Sequence, residues 1–181
     1  MNETNLRQRV VLVRHNSYLF KGTVEENLKM AKPDATKEEM EAVLQKVNLL
    51  GFLQTQDGLQ TQLLEKASNL SGGQCQRLVI ARALLKEDSK VYIFDEAASN
   101  IDVESEELIM NVIHELAKTK TVLLISHRLA NVVKSDKIYF LKDGEIKESG
   151  KHDELMSQNG AYRHLYESQM ALENYGKGGM A

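Results

Sequence analysis

Two short strings constrain this chain more than any other feature. Residues 69–77 read Asn-Leu-Ser-Gly-Gly-Gln-Cys-Gln-Arg, and residues 92–96 read Tyr-Ile-Phe-Asp-Glu. Ser71 and Gln74 have the spacing of a capping box, which predicts that a helix begins there, and the two glycines between them let a ligand approach the backbone. The free N–H groups and the positive dipole end of such a helix suit a phosphate.

The second string places two carboxylates, Asp95 and Glu96, directly after a short apolar stretch. The buried strands of α/β sheets present ligands at their carboxyl ends, so we expect these acids to lie at a binding edge. One carboxylate can help to hold a metal ion, and the other can orient or deprotonate water. In isolation, a strand that ends in solvated acids is the commoner explanation, so the pair depends on its context.

Strands and helices alternate along the chain, which predicts an α/β fold with a mainly parallel sheet. We predict strands at 9–13, 91–94 and 121–125, and a hairpin over 137–148 with Asp143-Gly144 as its two-residue turn. The other predicted elements are short helices capped by Thr23 and Thr36, a loop over 51–69, a helix from Gly72 to about Leu85, a helix over 104–117, a short helix near 129–134 and a helical tail from Asp153 to about Leu172.

The composition argues against several classes of protein. A chain of 181 residues with 42% hydrophobic content can bury a core, and its net charge of −3 gives no general attraction to nucleic acid or acidic lipid. The single cysteine, Cys75, cannot form an internal disulfide and is expected to be a small apolar filler. No apolar run approaches the roughly 18 residues of a spanning helix, so we expect that the chain does not enter a membrane by itself.

The two strings resemble the signature and Walker B motifs of ATP-binding cassette (ABC) ATPases, and further matches follow in the family's order. Residues 19–28 resemble the segment after the Q-loop of exporter-type cassettes, and residues 98–102 resemble the D-loop. Residues 126–129 are similar to the H-loop and residues 150–155 to the closing turn of the family. Six ordered matches are hard to obtain by chance.

The phosphate-binding Walker A loop, G-x-x-x-x-G-K-[ST], is not found in the sequence. The nearest string, 144–151, has five residues between its glycines and ends before His152. Because the family places this loop upstream of the Q-loop, we expect the chain to correspond to the carboxyl-terminal part of a cassette. It would then form a partial P-loop-NTPase-like sheet with an uncovered edge and apolar face, and it would be inactive as an ATPase on its own.

The resemblance also implies a division of the chain. Residues 1–22 would hold the Q-loop region and a strand of the ATPase core, and residues 23–86 an inserted helical subdomain that ends in the signature helix. Residues 87–172 would form the carboxyl-terminal core with Walker B, D-loop and H-loop. Residues 173–181 would be a frayed tail.

Within the family, ATP and Mg²⁺ are bound between two subunits, and the resemblance assigns the residues here accordingly. Asp95 would help to position Mg²⁺ through water, Glu96 would be the general base or orient the attacking water, and His127 would contact the γ-phosphate. Asp102 would couple the two sites across the interface. The residues expected to contact nucleotide are Ser71, Gly72, Gly73, Gln74, His15 and Asp102.

Two histidines, His15 and His127, stand at positions that the resemblance assigns to nucleotide contact. His15 stands at the Q-loop position, where the family has Gln; an imidazole can also donate or accept a hydrogen bond, but with different geometry and pH sensitivity. A lone histidine is usually a core residue, but His127 follows the predicted strand at 121–125, at the sheet edge where Asp95 is also expected, and this favours a functional role. We expect the remaining three, His114, His152 and His164, to be surface or packing residues.

Three functions are left open. The first is the ATP-binding and hydrolysing subunit, or a fragment of it, of an ABC exporter at the cytoplasmic face of the membrane; its partners would be a second nucleotide-binding domain, identical or different, and a transmembrane domain. The second is a non-hydrolysing module that offers its signature face to a complete cassette. The third is an ABC ATPase of DNA maintenance or translation, which the absence of long heptads and basic patches disfavours; we expect no nucleic-acid partner.

Overall fold

The computed structural model describes the backbone of residues 9–178 and the side chains of residues 9–172. It divides into two compact units, Met1–Ile125 and Ser126–Ala181. Of the predicted frayed tail at 173–181, residues 173–178 continue a helix, and residues 179–181 lie outside the described residues. No helix in the described part is both long and apolar enough to cross a membrane.

The first unit is built on a three-stranded parallel sheet. Its strands are β1 (Val10–Arg14), β4 (Val91–Asp95) and β5 (Thr121–Ile125), and they lie in the order β1-β4-β5. This confirms the predicted α/β class with parallel strands. The predicted strand bounds differ from the observed ones by at most one residue.

Side-chain hydrogen bonds start the main helices of this unit where the sequence predicts. Each of three helices begins with a complete capping box, in which a Ser or Thr hydroxyl accepts the amide proton of the residue three positions later and that residue's side chain accepts in return. A fourth helix is capped by the carboxylate of Asp102. The helices are α1 (Val24–Lys29, box Thr23/Glu26), α2 (Lys37–Lys46, box Thr36/Glu39), α4 (Gly72–Leu84, box Ser71/Gln74) and α5 (Val103–Ala117).

The segment 51–69, predicted as a loop, is largely structured. It overlaps helix α3 (Leu50–Gln54) and contains strand β3 (Gln62–Leu63), which pairs antiparallel with β2 (Gly22–Thr23). Two short 3₁₀ helices, Gly58–Gln60 and Glu65–Ala67, flank β3. These elements have too few residues to show a period, and they form because the segment's backbone groups need partners next to a buried cluster.

The two faces of the parallel sheet differ. Val13, Tyr92 and Phe94 point to a buried face that forms the core with α4 and α5. On the opposite face, the side chains of Leu12 and Leu123 are 47% and 50% exposed. The expectation of an uncovered apolar face is therefore confirmed.

The second unit is a hairpin followed by two helices. Strands β6 (Ile138–Lys142) and β7 (Glu145–Gly150) are joined at Asp143-Gly144, and both turn residues have positive φ, as a type I′ turn requires. A 3₁₀ helix, Leu129–Val132, precedes the hairpin, and helices α6 (His152–Ser157) and α7 (Ala161–Gly178) follow it. The tail is thus two helices rather than one, and the second extends six residues past Leu172.

Candidate functional site

The start of helix α4 carries the predicted anion-binding geometry. The Ser71 hydroxyl accepts the Gln74 amide proton at 3.2 Å, and the Gln74 side chain accepts the Ser71 amide proton at 2.9 Å. The box uses the amides of Ser71 and Gln74. The amides of Gly72 and Gly73, also in the first turn, take no part in it. Ser71 and Gly72 are exposed, so the Gly72 amide lies at an accessible helix end, whereas Gly73 is buried.

The charge of this helix start also suits an anion. The first turn of α4 contains no acidic residue, whereas α1, α2 and α5 each carry two acids in their first turns. Acids at that position offset the helix dipole, and α4 has none of its own, although the Asp102 carboxylate that caps α5 lies beside Gly73. The exposed Gly72 amide and the lack of an acid within the turn itself fit a phosphate group.

Gly73, in contrast to Gly72, is buried against the start of helix α5. A β-carbon at Gly73 would collide with the Ser105 hydroxyl, would lie 2.6 Å from the Ser105 β-carbon and 3.2 Å from an Asp102 carboxylate oxygen. A β-carbon at Gly72 would make only ordinary contacts, the nearest 3.7 Å from Ile101. Gly73 is therefore required for packing inside the chain, which sequence reasoning, concerned with ligand approach, did not predict.

Asp102 combines the D-loop position with a capping role. Its Oδ1 accepts the amide proton of Ser105 at 2.8 Å. Hydrogen bonds from the backbone and then the side chain of Ser105, with a smaller contribution from Arg77, hold the pKa of the Asp102 carboxyl below its ordinary value. The structure thus brings Asp102 next to the signature residue Gly73 within one chain.

The Walker B acids lie at the carboxyl end of β4, as predicted. Asp95 is the last residue of the strand, and its side chain is 37% exposed. Glu96 has a φ of 52°, in the left-handed region that a residue with a β-carbon rarely adopts. Its backbone is held in this conformation by its N–H, which donates to Ile125 at 3.0 Å, and by its carbonyl, which accepts from Ser99 at 2.8 Å. Such enforced backbone strain is typical of functional positions.

The end of β1 adds a cation that sequence reasoning missed. Arg14 and Asp95 are partners in the strand register, and the Arg14 Nε lies 3.6 Å from the Asp95 carboxylate. The next residue, His15, is exposed and donates its backbone N–H to the Asp95 carbonyl at 3.2 Å. The buried Gln76 side chain of α4 donates to the Arg14 carbonyl at 3.4 Å. The structure therefore brings His15, Asp95 and Glu96 to one sheet edge.

His127 belongs to the second unit, where its side chain is exposed. It lies in the turn between Ser126 and the 3₁₀ helix Leu129–Val132. The Ser126 hydroxyl accepts the Arg128 amide proton at 3.0 Å and also contacts the Arg128 carbonyl at 3.0 Å, so the turn closes around His127. Of the other histidines, His152 packs against Tyr162 and Tyr166, as a packing residue would.

The donor set suits Mg²⁺ better than a metal held by the protein alone. Asp95 offers a partly exposed carboxylate, and in the described residues no group of three His, Cys, Asp or Glu side chains could hold a metal ion. Mg²⁺ is usually bound through one or two carboxylates together with substrate phosphates, and it keeps several waters. Asp95 therefore fits as one carboxylate contact for a Mg²⁺ ion that arrives with a nucleotide.

Comparisons with known proteins identify the family to which this chain is similar. A family model described as ABC transporter matches residues 1–99. An uncharacterized ABC transporter ATP-binding protein of Haemophilus influenzae is 51% identical over 173 residues, which cover 96% of this chain and 31% of that protein. An ATP-dependent lipid A-core flippase of Vibrio cholerae is 42% identical over 168 residues, which cover 92% of this chain and 29% of the flippase.

The same similarity extends to solved structures. The structure of a bacterial Atm1-family ABC exporter with ATP bound matches with a TM-score of 0.86 at 30% identity, over 93% of this chain and 30% of the exporter chain. The chain thus spans about a third of the length of the curated relatives it matches. This coverage limits the similarity to one part of each relative.

Proposed function

The chain belongs to the ABC transporter family, and from this premise we propose that it forms part of the ATP-binding and hydrolysing subunit of an exporter. The single observation that carries the proposal is the start of helix α4, an accessible capping-box turn without acids. In the ATP-bound cassette pair that the family resemblance implies, this turn meets the phosphates held by a second nucleotide-binding domain. That domain is a second copy or a different cassette.

The chemistry of hydrolysis would use the sheet edge. Glu96, held in a left-handed conformation after Asp95, would act on the attacking water as general base or orienting group. Asp95 would hold Mg²⁺ through water, and the ion would neutralise charge on the phosphates. His127 would donate a hydrogen bond to the γ-phosphate, and His15 would contact the same nucleotide from the end of β1.

A groove beside the Q-loop position supports a membrane-domain partner. Tyr18 and Phe20 pack edge to face with ring centroids 4.8 Å apart, and both are exposed, as is Met30. A groove of about 320 Å³ is lined by Phe20, Met30 and other apolar side chains and by two cations, Arg82 and Lys86. Exposed aromatic and Met side chains around a groove are typical of sites that receive the apolar face of an amphipathic helix. We assign it to a transmembrane domain, which would hold the chain at the cytoplasmic face.

The second candidate is a module that contributes its signature face without turnover of its own. The observation that supports it is the same α4 turn, whose capping box is complete within this chain. On either proposal the 181-residue chain alone does not hydrolyse ATP. The two differ in whether a cassette completed with a Walker A segment uses Glu96 and His127 for catalysis.

A pair of substitutions at Gly72 tests the proposal. We would mix the chain with a complete cassette whose own general base is disabled, add Mg-ATP, and measure association by analytical ultracentrifugation. Gly72→Asp places a negative charge in the first turn without a steric clash, and Gly72→Asn is its neutral control of equal size. An acid near a helix start stabilises the helix, so weaker association with Gly72→Asp cannot come from a loss of helix stability. It would report repulsion between the added charge and the phosphates.

We expect an ATP-dependent complex for the wild type, a complex weakened only by the added side chain for Gly72→Asn, and one at least tenfold weaker than that of the Asn variant for Gly72→Asp. Association that does not depend on ATP, or that is equal for the Asp and Asn variants, would refute the proposed role of the α4 turn.

A further inference from the structure

A side chain of the last helix holds the turn that contains His127. The Gln169 side chain, on helix α7, donates from Nε2 to the His127 carbonyl at 2.7 Å. Its Oε1 accepts the Leu129 amide proton at 2.9 Å. One amide group thus binds the backbone on both sides of Arg128, although Gln169 is 42 residues away from His127 along the chain.

The two hydrogen bonds match the donor and the acceptor of the Gln169 amide to an acceptor and a donor of the backbone. A Gln side chain has donors on its nitrogen and an acceptor on its oxygen, and here each faces the complementary backbone group. Leu129 is buried, so leaving its amide without a hydrogen-bond partner would cost free energy. The bond from Leu129 to Gln169 is partly buried, which limits competition from water, whereas the bond from Gln169 to His127 is exposed. Replacement by Glu would keep the acceptor for Leu129 and lose the donor for His127.

The turn is also held from inside. The Ser126 hydroxyl binds both the amide and the carbonyl group of Arg128, and the Arg128 carbonyl accepts the Asn131 amide proton at 3.1 Å. Backbone groups from 127 to 129 are therefore bound by Ser126, Asn131 and Gln169. The His127 side chain remains exposed at the surface of this fixed turn.

From these contacts we propose that Gln169 is a positioning residue for His127, which it acts on through the backbone of the turn. It does not contact nucleotide. The inference rests on the proposed role of His127 as the group that meets the γ-phosphate, since a hydrogen-bond donor is effective only when it is preorganised. Helix α7 would thus contribute to the ATP site through one side chain.

Amide hydrogen exchange and side-chain relaxation, measured by NMR on the 181-residue chain, test the proposal without any nucleotide. Gln169→Met keeps the side-chain length and removes both bonds, and Gln169→Glu removes only the bond to His127. Gln158→Met is the matched control, because Gln158 lies exposed in the same unit at the end of α6.

In Gln169→Met we expect the Leu129 amide to exchange at least fivefold faster, as the loss of one partly buried hydrogen bond implies. In Gln169→Glu it should stay within twofold of the wild type. The order parameter of the His127 ring Cε1–H bond should fall in both variants and stay unchanged in Gln158→Met.

The amides of strand β6 report on opening of the whole unit. If they exchange faster by the same factor as Leu129, the effect is global and the proposed local clamp is wrong. Unchanged Leu129 exchange in Gln169→Met, or unchanged His127 order in both Gln169 variants, would also overturn it. Because ATP is absent from the measurement, either result leaves the proposed function to be judged by the association experiment.

Discussion

Gly73 and Ser105 occupy adjoining space, so closely that a β-carbon at Gly73 would lie 2.6 Å from the β-carbon of Ser105. The contact joins the signature turn of α4 to the start of α5, which Asp102 caps. A substitution at Gly73 or at Ser105 is therefore expected to alter the packing of the other residue even when no ligand is bound. It also means that a side chain at Gly73 disturbs the fold itself, contrary to a reading of this glycine as a ligand-approach site alone.

The first prediction follows from this contact. Gly73→Ala should lower the thermal midpoint by several degrees, because overpacking costs about 1–3 kcal/mol and exceeds the gain of replacing a helical glycine. Gly72→Ala, which meets no close atom, should be neutral or stabilising. Adding Ser105→Gly to Gly73→Ala should restore part of the loss, and a double-mutant cycle by urea unfolding measures the coupling. A coupling energy near zero would show that the two residues do not compete for space.

The second prediction concerns the ion pair between Arg14 and Asp95, at the edge proposed to hold Mg²⁺. Removing the Arg14 charge beside Asp95 should tighten divalent-cation binding about three- to tenfold at low salt, since a nearby cation repels the ion. In a cassette completed with a Walker A segment and loaded with a non-hydrolysable ATP analogue, Mn²⁺ titrations followed by EPR can compare Arg14→Gln with Arg163→Gln, which removes an ion-paired charge elsewhere. The gain should disappear when Asp95→Asn is added. Equal affinities in Arg14→Gln and the wild type would mean that Arg14 does not influence the site.

The third prediction is a pH dependence. The lowered pKa of the Asp102 carboxyl means that its stabilising contribution is complete above the ordinary carboxyl pKa, about 3.9, and is lost as the pH falls through the lower folded value. Asp102→Asn keeps an N-cap acceptor and removes the charge. The variant should unfold below the wild type at pH 7, and the difference should shrink as the pH falls below the ordinary carboxyl pKa. Asp136→Asn is the control, and a gap that is independent of pH would contradict the assignment.

The fourth prediction concerns Glu96. In a cassette completed with a Walker A segment, Glu96→Gln should lower hydrolysis about a hundredfold or more and leave ATP binding intact, because it removes the carboxylate and keeps the side-chain size. Glu104→Gln, an exposed acid at the start of α5, serves as the control. Phosphate release and nucleotide titration distinguish the two effects. Turnover within a few-fold of the parent would show that Glu96 is not the base.

Strain at Glu96 gives a related stability test. Its left-handed φ favours glycine, so Glu96→Gly should not destabilise the 181-residue chain and could raise its unfolding free energy by up to about 1 kcal/mol. Ile93→Gly, in the preceding strand β4 with ordinary extended geometry, should destabilise it. A clear loss of stability in Glu96→Gly would mean that the Glu96 side chain contributes more packing than strain.

The sequence predicted those parts of the structure that depend on neighbouring residues. The capping boxes at Thr23, Thr36 and Ser71 involve groups three positions apart, and the turn at Asp143-Gly144 depends on two residues that tolerate positive φ. The sequence also predicted both ends of strand β5 correctly. Such features are set by local hydrogen bonds and local sterics, so residue types in order are enough to indicate them.

The positions of the Walker B acids also followed from the sequence, because the carboxyl end of a buried strand is a property of the strand. Their surroundings did not. Nothing in the order of residues indicates that Arg14 lies beside Asp95, because that pair depends on the register between two strands 81 positions apart.

By itself, then, the sequence determined the class of fold, the starts of the helices, and the acids and glycines that mark the site. Tertiary structure alone decided that Gly73 packs on Ser105, that β2 pairs with β3, and that Gln169 binds the backbone around His127. The physical reason is the range of the interactions. Local hydrogen bonds are specified by residues close in sequence, whereas these contacts form only after packed helices and strands bring distant residues together.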